Sequence, residues 1–186
     1  MRKNFGAEAI LYPMSVLIIG SYDENGIPDA MNAAWGGISE ETQISICVSA
    51  DHKTTKNILA KGAFTVSVAD AKNVIAADYV GIVSGNEEIN KIEKAGWHAV
   101  KSEFVDAPLF EELPMALECK LISYDAESCR LTGEIVNVCA DEKILGADGK
   151  IDLAKFSPIT YDPVHHTYRK LGDAVGRAFR DGQKLK

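Results

Sequence analysis

No C-x-x-C pair occurs in this chain, nor any other close cysteine spacing, so zinc knuckles, iron–sulfur clusters and dithiol centres all lack their ligand pattern. Its four cysteines, Cys47, Cys119, Cys129 and Cys139, stand apart. Cys47 and Cys119 fall among alternating apolar residues, where a free thiol behaves as a small hydrophobe, and the thiols are expected to be buried and inert. Positive charge is also scarce: 20 Lys and Arg against 27 Asp and Glu leave a formal charge of -7, which argues against a nucleic-acid partner. The N-terminal stretch has no signal-peptide core, and the apolar run Val16 to Ile19 is far too short for a membrane span. A cytoplasmic protein with no membrane partner is expected. Neither G-x-G-x-x-G nor G-x-x-x-x-G-K-[ST] is present, which removes the common dinucleotide and P-loop readings. G-x-S-x-G and H-E-x-x-H are missing too, and with them the usual hydrolase signatures. His165 and His166 are neighbours, but adjacent residues on a strand point to opposite faces, so a structural or solvent-facing pair is expected rather than a metal site.

What is present suits one globular domain over residues 1–186: 46% of the residues are hydrophobic and 25% charged, with no linker, repeat or low-complexity tract. A chain of this length can bury a core without disulfides. Met14 to Tyr22 reads as a strand, and Asn25-Gly26 after it is the dipeptide of a two-residue hairpin turn, with Ile27 onward returning antiparallel. Gln43 to Ser49 puts Ile44, Ile46 and Val48 on one face and Ser45 and Cys47 on the other. A short helix is predicted over Thr55 to Lys61, stopped by Gly62, and a strand over Ala63 to Ala69. Asp70 to Gly96 reads as two short helices around a loop, broken at Gly81 and at Ser84-Gly85. Met115 to Tyr124 and Arg130 to Cys139 are long strands that should pair, Asp148-Gly149 marks a turn, and Leu171 to Phe179 reads as a short terminal helix. Many strands with a few inserted helices, and no regular β-α alternation, point to a mainly β fold: an antiparallel barrel.

Two segments carry chemistry. In Asn32-Ala33-Ala34-Trp35-Gly36-Gly37, small residues leave backbone N–H groups accessible beside an aromatic, a surface suited to a flat conjugated ring; read plainly, it is a strand end. From Ser49 through Ala50, Asp51, His52, Lys53 and Thr54 to Ile58, a strand end meets a helix start bearing hydroxyls and lysines, the local chemistry of an anion site. The plain alternative is Thr54 capping a surface helix with its lysines solvated.

Taken in order, Tyr12 to Ile18, the Asn25-Gly26 turn, Asn32 to Trp35, Ser49 to Ile58, Phe64 to Val68, Asp78 to Gly85 and Tyr168 to Gly172 resemble the flavin reductase-like FMN-binding family, and flavoredoxin-type members most closely. The resemblance covers nearly the whole chain. It implies a split β-barrel of Greek-key type, a homodimer, and FMN near the dimer interface. Matched residue by residue, it implies that Asn32, Ala33, Ala34 and Trp35 follow the isoalloxazine edge and that Ser49 and Ala50 supply further ring or ribityl contacts. Lys53 and Thr54 would bind the phosphate with His52 close by, Ser84 and Gly85 belong to a loop closing over the cofactor, and Tyr168 is a C-terminal aromatic beside it. Trp35 and Tyr161 to Tyr168 are the candidates for a shared dimer surface.

In such a protein the flavin carries the reaction, so no general acid or base is nominated. The expected role is to accept electrons from NAD(P)H or a reduced carrier protein and pass them on. A non-catalytic flavin-binding module is the main alternative. A split-barrel oxidase of the pyridoxine-phosphate type is a further one, although no clustered arginines are present to hold a second phosphate.

Overall fold

The computed structural model describes residues 1–186. In chain order the elements are β1 (Met14–Ser15), β2 (Leu17–Tyr22), β3 (Pro28–Ala33), β4 (Gly36–Glu40), β5 (Gln43–Cys47), α1 (Lys53–Lys61), β6 (Ala63–Val68) and α2 (Val74–Ile82). There follow α3 (Lys91–Lys94), β7 (Ala99–Lys101), β8 (Pro108–Phe110), β9 (Met115–Asp125), β10 (Arg130–Ala140), β11 (Ile159–Asp162) and β12 (Thr167–Lys170). Seven strands make one antiparallel sheet in the order β3-β2-β6-β9-β10-β5-β4. Its two edge strands are joined by Ala34 and Trp35 alone. Three residue steps span at most about 11 Å, so the sheet must curl until the end of β3 and the start of β4 come within that distance. Gly36 sits at that seam, where a Cβ would lie 3.1 Å from both Leu17 and Ile46. The antiparallel barrel expected from the strand pattern is the fold that forms.

Period-two alternation fills the barrel. Ile19, Ile44, Ile46, Phe64, Val66, Cys119 and Leu131 point inward, and Ile58 of α1 joins them. Outside, α2 and α3 cover β2 and β3 through a second core containing Ile18, Ala30, Ala77, Val80 and Trp97, with the Trp97 ring 5.3 Å from that of Phe110. A three-stranded sheet, β1-β11-β12, closes this side. Helix α1 ends as its sequence demands, with Gly62 left-handed at φ 68 and its N–H on the Ile58 carbonyl. No helix is long and apolar enough to cross a membrane.

The structure corrects several expectations. The first strand divides at the buried Val16: β1 pairs with β11, whereas β2 lies between β3 and β6. The hairpin after β2 uses residues 23–27, because the Asp23 carboxylate gathers the N–H groups of Asn25 and Ile27 at 2.9 Å each. No helix forms over 171–179. Gly172 and Gly176 lower its propensity and the segment has no buried face to pack; only a 3-10 turn, Asp181–Leu185, follows. His165 and His166 lie in the β11–β12 turn rather than on a strand, His165 against Asp162 at 3.0 Å and His166 against the Tyr161 hydroxyl at 2.7 Å. Of the thiols only Cys119 is fully buried, its pKa pushed up to about 12 by burial and then by the Glu118 carboxylate. Cys47 takes the outward side of its strand and is exposed; Cys129 and Cys139 are half-buried.

Candidate functional site

The first turn of α1 faces the start of β3 and the loop that follows α2. Between them lies a cavity of about 170 Å³. His52, Lys53 and Thr54 enter it from α1, and Ser84 and Gly85 from the loop. Among the cavity's other lining residues, which sequence reasoning did not nominate, are Asp29 and Met31 of β3, Lys91 at the start of α3, and Val80 to Val83 at the end of α2.

Asp29 organises this cluster. Its buried carboxylate accepts a 2.5 Å hydrogen bond from the Thr54 hydroxyl through Oδ2, while Oδ1 lies 3.8 Å from Lys91 Nζ. The Lys91 side chain is only 4% exposed. Burial holds its ammonium below the ordinary lysine pKa, an effect opposed by Asp29 and reinforced by Lys53. Lys53 is half-buried, with Nζ 3.5 Å from Asp23 Oδ2. Each lysine thus has one carboxylate in place. Gly85 is required by space, since a Cβ there would fall 2.3 Å from Asp29 Oδ1 and 3.2 Å from Lys53 Cδ. Asn86 ties the loop to the helix start by donating to the Asp51 carbonyl at 3.0 Å. Two lysines and the Ser84 hydroxyl in a cavity this small suit a phosphate monoester, whose oxygens accept hydrogen bonds, while the Thr54 hydroxyl is already donated to Asp29.

The other nominated residues lie outside this cavity. Asn32 abuts Gly81, where a Cβ would be 3.0 Å from its own, and donates to the Ala77 carbonyl at 3.0 Å. Beside it, the Tyr168 hydroxyl donates to Asp78 Oδ1 at 2.8 Å. Ala33 is buried in the barrel, so only its backbone can meet a ligand. Ala34 and Trp35 border an apolar groove of about 500 Å³ whose far wall is the segment 8–15. Trp35 is 58% exposed. Its carbonyl accepts from the Cys47 N–H at 2.8 Å, and the nearby Ser49 and Ala50 line neither the groove nor the phosphate-sized cavity. Of the nominated residues, His52, Lys53, Thr54, Ser84 and Gly85 share the small cationic pocket, Ala34 and Trp35 border the open groove, and Asn32, Ala33, Ser49, Ala50 and Tyr168 line neither.

Lys91 and Asp29 carried little signal in the sequence. Lys91 sits in Asn86-Glu87-Glu88-Ile89-Asn90-Lys91, a polar stretch that reads as surface, and Asp29 follows a proline in a strand of mixed polarity. Their burial arises only when α3 packs on β3.

Tyr168 offers a direct check of this geometry. Its pKa is pushed up to about 12, first by burial and then by its hydrogen bond to Asp78. A phenol held neutral in this way contributes stability in full below the ordinary value of about 10, and that contribution is lost as pH rises toward about 12. In an absorbance titration of the tyrosines, Tyr168→Phe should remove a late component near that upper value. A difference curve centred near pH 10 would show the hydrogen bond to be absent in solution.

A family model described as "Flavin reductase like domain" matches residues 10–168. Flavoredoxin of Desulfovibrio vulgaris (Miyazaki F) is 37% identical and superposes with a TM-score of 0.93, over 98% of this chain and 100% of that one. Flavoredoxin from Methanosarcina acetivorans is 25% identical, with a TM-score of 0.89 and full coverage of both chains. An FMN-binding domain of a flavin reductases-like enzyme from Shewanella baltica, 19% identical, shares the fold with a TM-score of 0.78 over 88% of this chain and 89% of its own. The chain spans about half the length of the curated relatives it matches. Proteins from Aeropyrum pernix and Aquifex aeolicus are each 29% identical, over 62% and 57% of this chain and 44% and 55% of theirs. The curled antiparallel sheet described above is thus the flavin reductase-like split barrel.

Proposed function

The chain belongs to the flavin reductase-like domain family, and from that premise we propose that it is an FMN-binding oxidoreductase that takes electrons from NAD(P)H or a reduced carrier protein and hands them on. The observation that carries this reading is the small cavity in which Lys53, Lys91, Thr54 and Ser84 converge. A monophosphate suits the cavity, and a flat ring suits the ledge of Asn32 to Trp35 with Ser49, Ala50 and Tyr168 at its margins. When bound, the flavin supplies the redox chemistry.

The chain's own residues do the binding and the shielding. Lys53 and Lys91 offset phosphate charge, while Thr54 keeps its hydroxyl oriented by donating to Asp29. Gly85 lets the loop after α2 approach closely enough to narrow the cavity. Asn32 holds its amide on the Ala77 carbonyl, which leaves its carbonyl oxygen free to accept from a ligand. Trp35 offers a broad apolar face to the ring. The exposed aromatic and the fully exposed edge strand β4 also favour a homodimer, since a second copy would cover both.

The test is the content of the purified protein and its response to one substitution. The protein should be yellow, release FMN rather than FAD on denaturation, and bleach anaerobically with NADH, NADPH or a reduced carrier. A colourless protein that no FMN titration fills would overturn the reading; filling without reduction by any donor would leave a non-catalytic binding module. Lys53→Ala should weaken FMN binding roughly ten- to a hundredfold, as expected for a charge-assisted hydrogen bond of about 1.5–3 kcal/mol. Lys56→Ala, three residues further along α1 and exposed, should change it little. Equal losses in the two variants would move the phosphate away from the cavity.

A further inference from the structure

Residues 171–186 form an arm that leaves β12 and never returns to the body of the protein. No residue in it is buried, and Val175, Phe179 and Leu185 are almost fully exposed. The arm nevertheless has local structure. Asp181 accepts from the Arg177 N–H at 2.7 Å, Gln183 donates to the Phe179 carbonyl at 2.9 Å, and the backbone hydrogen bonds of 177–186 close within the arm. A shaped segment with bare apolar side chains lacks the surface that would shape it.

The same chain offers such a surface unfilled. The groove between the N-terminal segment and Ala34–Gly36 is lined by ten residues and is mostly apolar, with Ile10, Leu11 and Trp35 exposed along it. A standard interface takes roughly 20–30 residues from each partner, a range that the sixteen arm residues and the ten groove residues together reach. Charge favours the contact. The arm carries four basic and two acidic residues, which leaves a formal -9 on the rest of a chain whose total is -7. In a two-fold pair both arm and groove occur twice, so exchange fills both grooves and leaves no apolar segment over.

We infer that the C-terminal arm of one copy seats Val175 and Phe179 in the groove beside Trp35 of a second copy, and so walls the ledge where the flavin ring is proposed to lie. The inference rests on the proposed dimer and ring position, and it adds the element that joins them. A site closed in this way is complete only in the pair.

Trp35 reports the contact, because the second tryptophan, Trp97, is buried in each chain. Acrylamide quenching is measured on flavin-free protein over a dilution series, for the native chain, for Val175→Ser with Phe179→Ser, and for a chain ending at Lys170. The body should fold in all three, since nothing beyond Lys170 is buried. The native chain should shield Trp35 when dimeric and expose it on dilution. Both altered chains should associate at least tenfold more weakly and leave Trp35 accessible throughout. Equal accessibility in all three, equally tight association, or shielding that persists in a native monomer would each overturn the inference. Failure of the flavin reading looks different: shielding would follow the expected pattern while no FMN titration fills the protein.

Discussion

Replacing Lys91 by Met is expected to destabilise the protein by about 3–5 kcal/mol, the usual cost of removing one partner from a buried ion pair. The reason is the orphan it leaves. Asp29 and Lys91 are both almost wholly buried, and the 3.8 Å separation holds the only cation beside that carboxylate. This spacing is longer than a hydrogen bond, which favours the lower end of the range. The double variant Lys91→Met with Asp29→Asn should recover most of the stability, because the charge and its counter-ion leave together and an asparagine can still accept from Thr54. It should not recover FMN binding. Urea unfolding midpoints and FMN titrations on the two single variants and the double variant separate the effects. A double variant no more stable than Lys91→Met would show that the pair contributes nothing. Native FMN affinity in either Lys91 variant would remove this lysine from the proposed phosphate site.

Phe64→Ala is expected to cost about 3–5 kcal/mol through the cavity it opens at the centre of the barrel. Phe64 is fully buried, and its ring reaches across to the bulged strand β10, where a Cβ on Gly133 would fall 2.3 Å from its Cζ. Gly133→Ala should therefore also destabilise, by about 1–3 kcal/mol, since the ring cannot retreat within a packed core. Combining Gly133→Ala with Phe64→Leu should cost less than the sum of the two, the shorter side chain making room for the added methyl. Strict additivity would mean that ring and glycine do not meet. Ile58 of α1 shares this core, so loosening the barrel should also lower the FMN affinity of the helix-start pocket.

How far the sequence alone reached can be judged at single residues. Ile44, Ile46 and Val48 alternate with Ser45 and Cys47, and the first three are buried while Cys47 faces out, because a strand of period two leaves no other arrangement with one apolar face. Gly62 ends α1 in the left-handed conformation for an equally local reason. The nominations of Lys53, Thr54, Ser84 and Gly85 came from short-range chemistry and an ordered resemblance, and the structure brings all four to one cavity. Strand β4 is exposed along its whole length and so lacks the alternation that would have revealed it. Leu171 to Phe179 has helical spacing but no surface to pack against within its own chain, and spacing without burial does not hold a helix. Lys91 and Asp29 show the same limit from the other side. By itself the sequence determined strand faces, helix ends and the residue types of an anion site, since these follow from the geometry of a few consecutive residues. Only the tertiary structure decided that the sheet curls into a barrel, and that packing α3 on β3 buries a lysine beside an aspartate, because which distant surfaces exclude water together is a property of the whole chain.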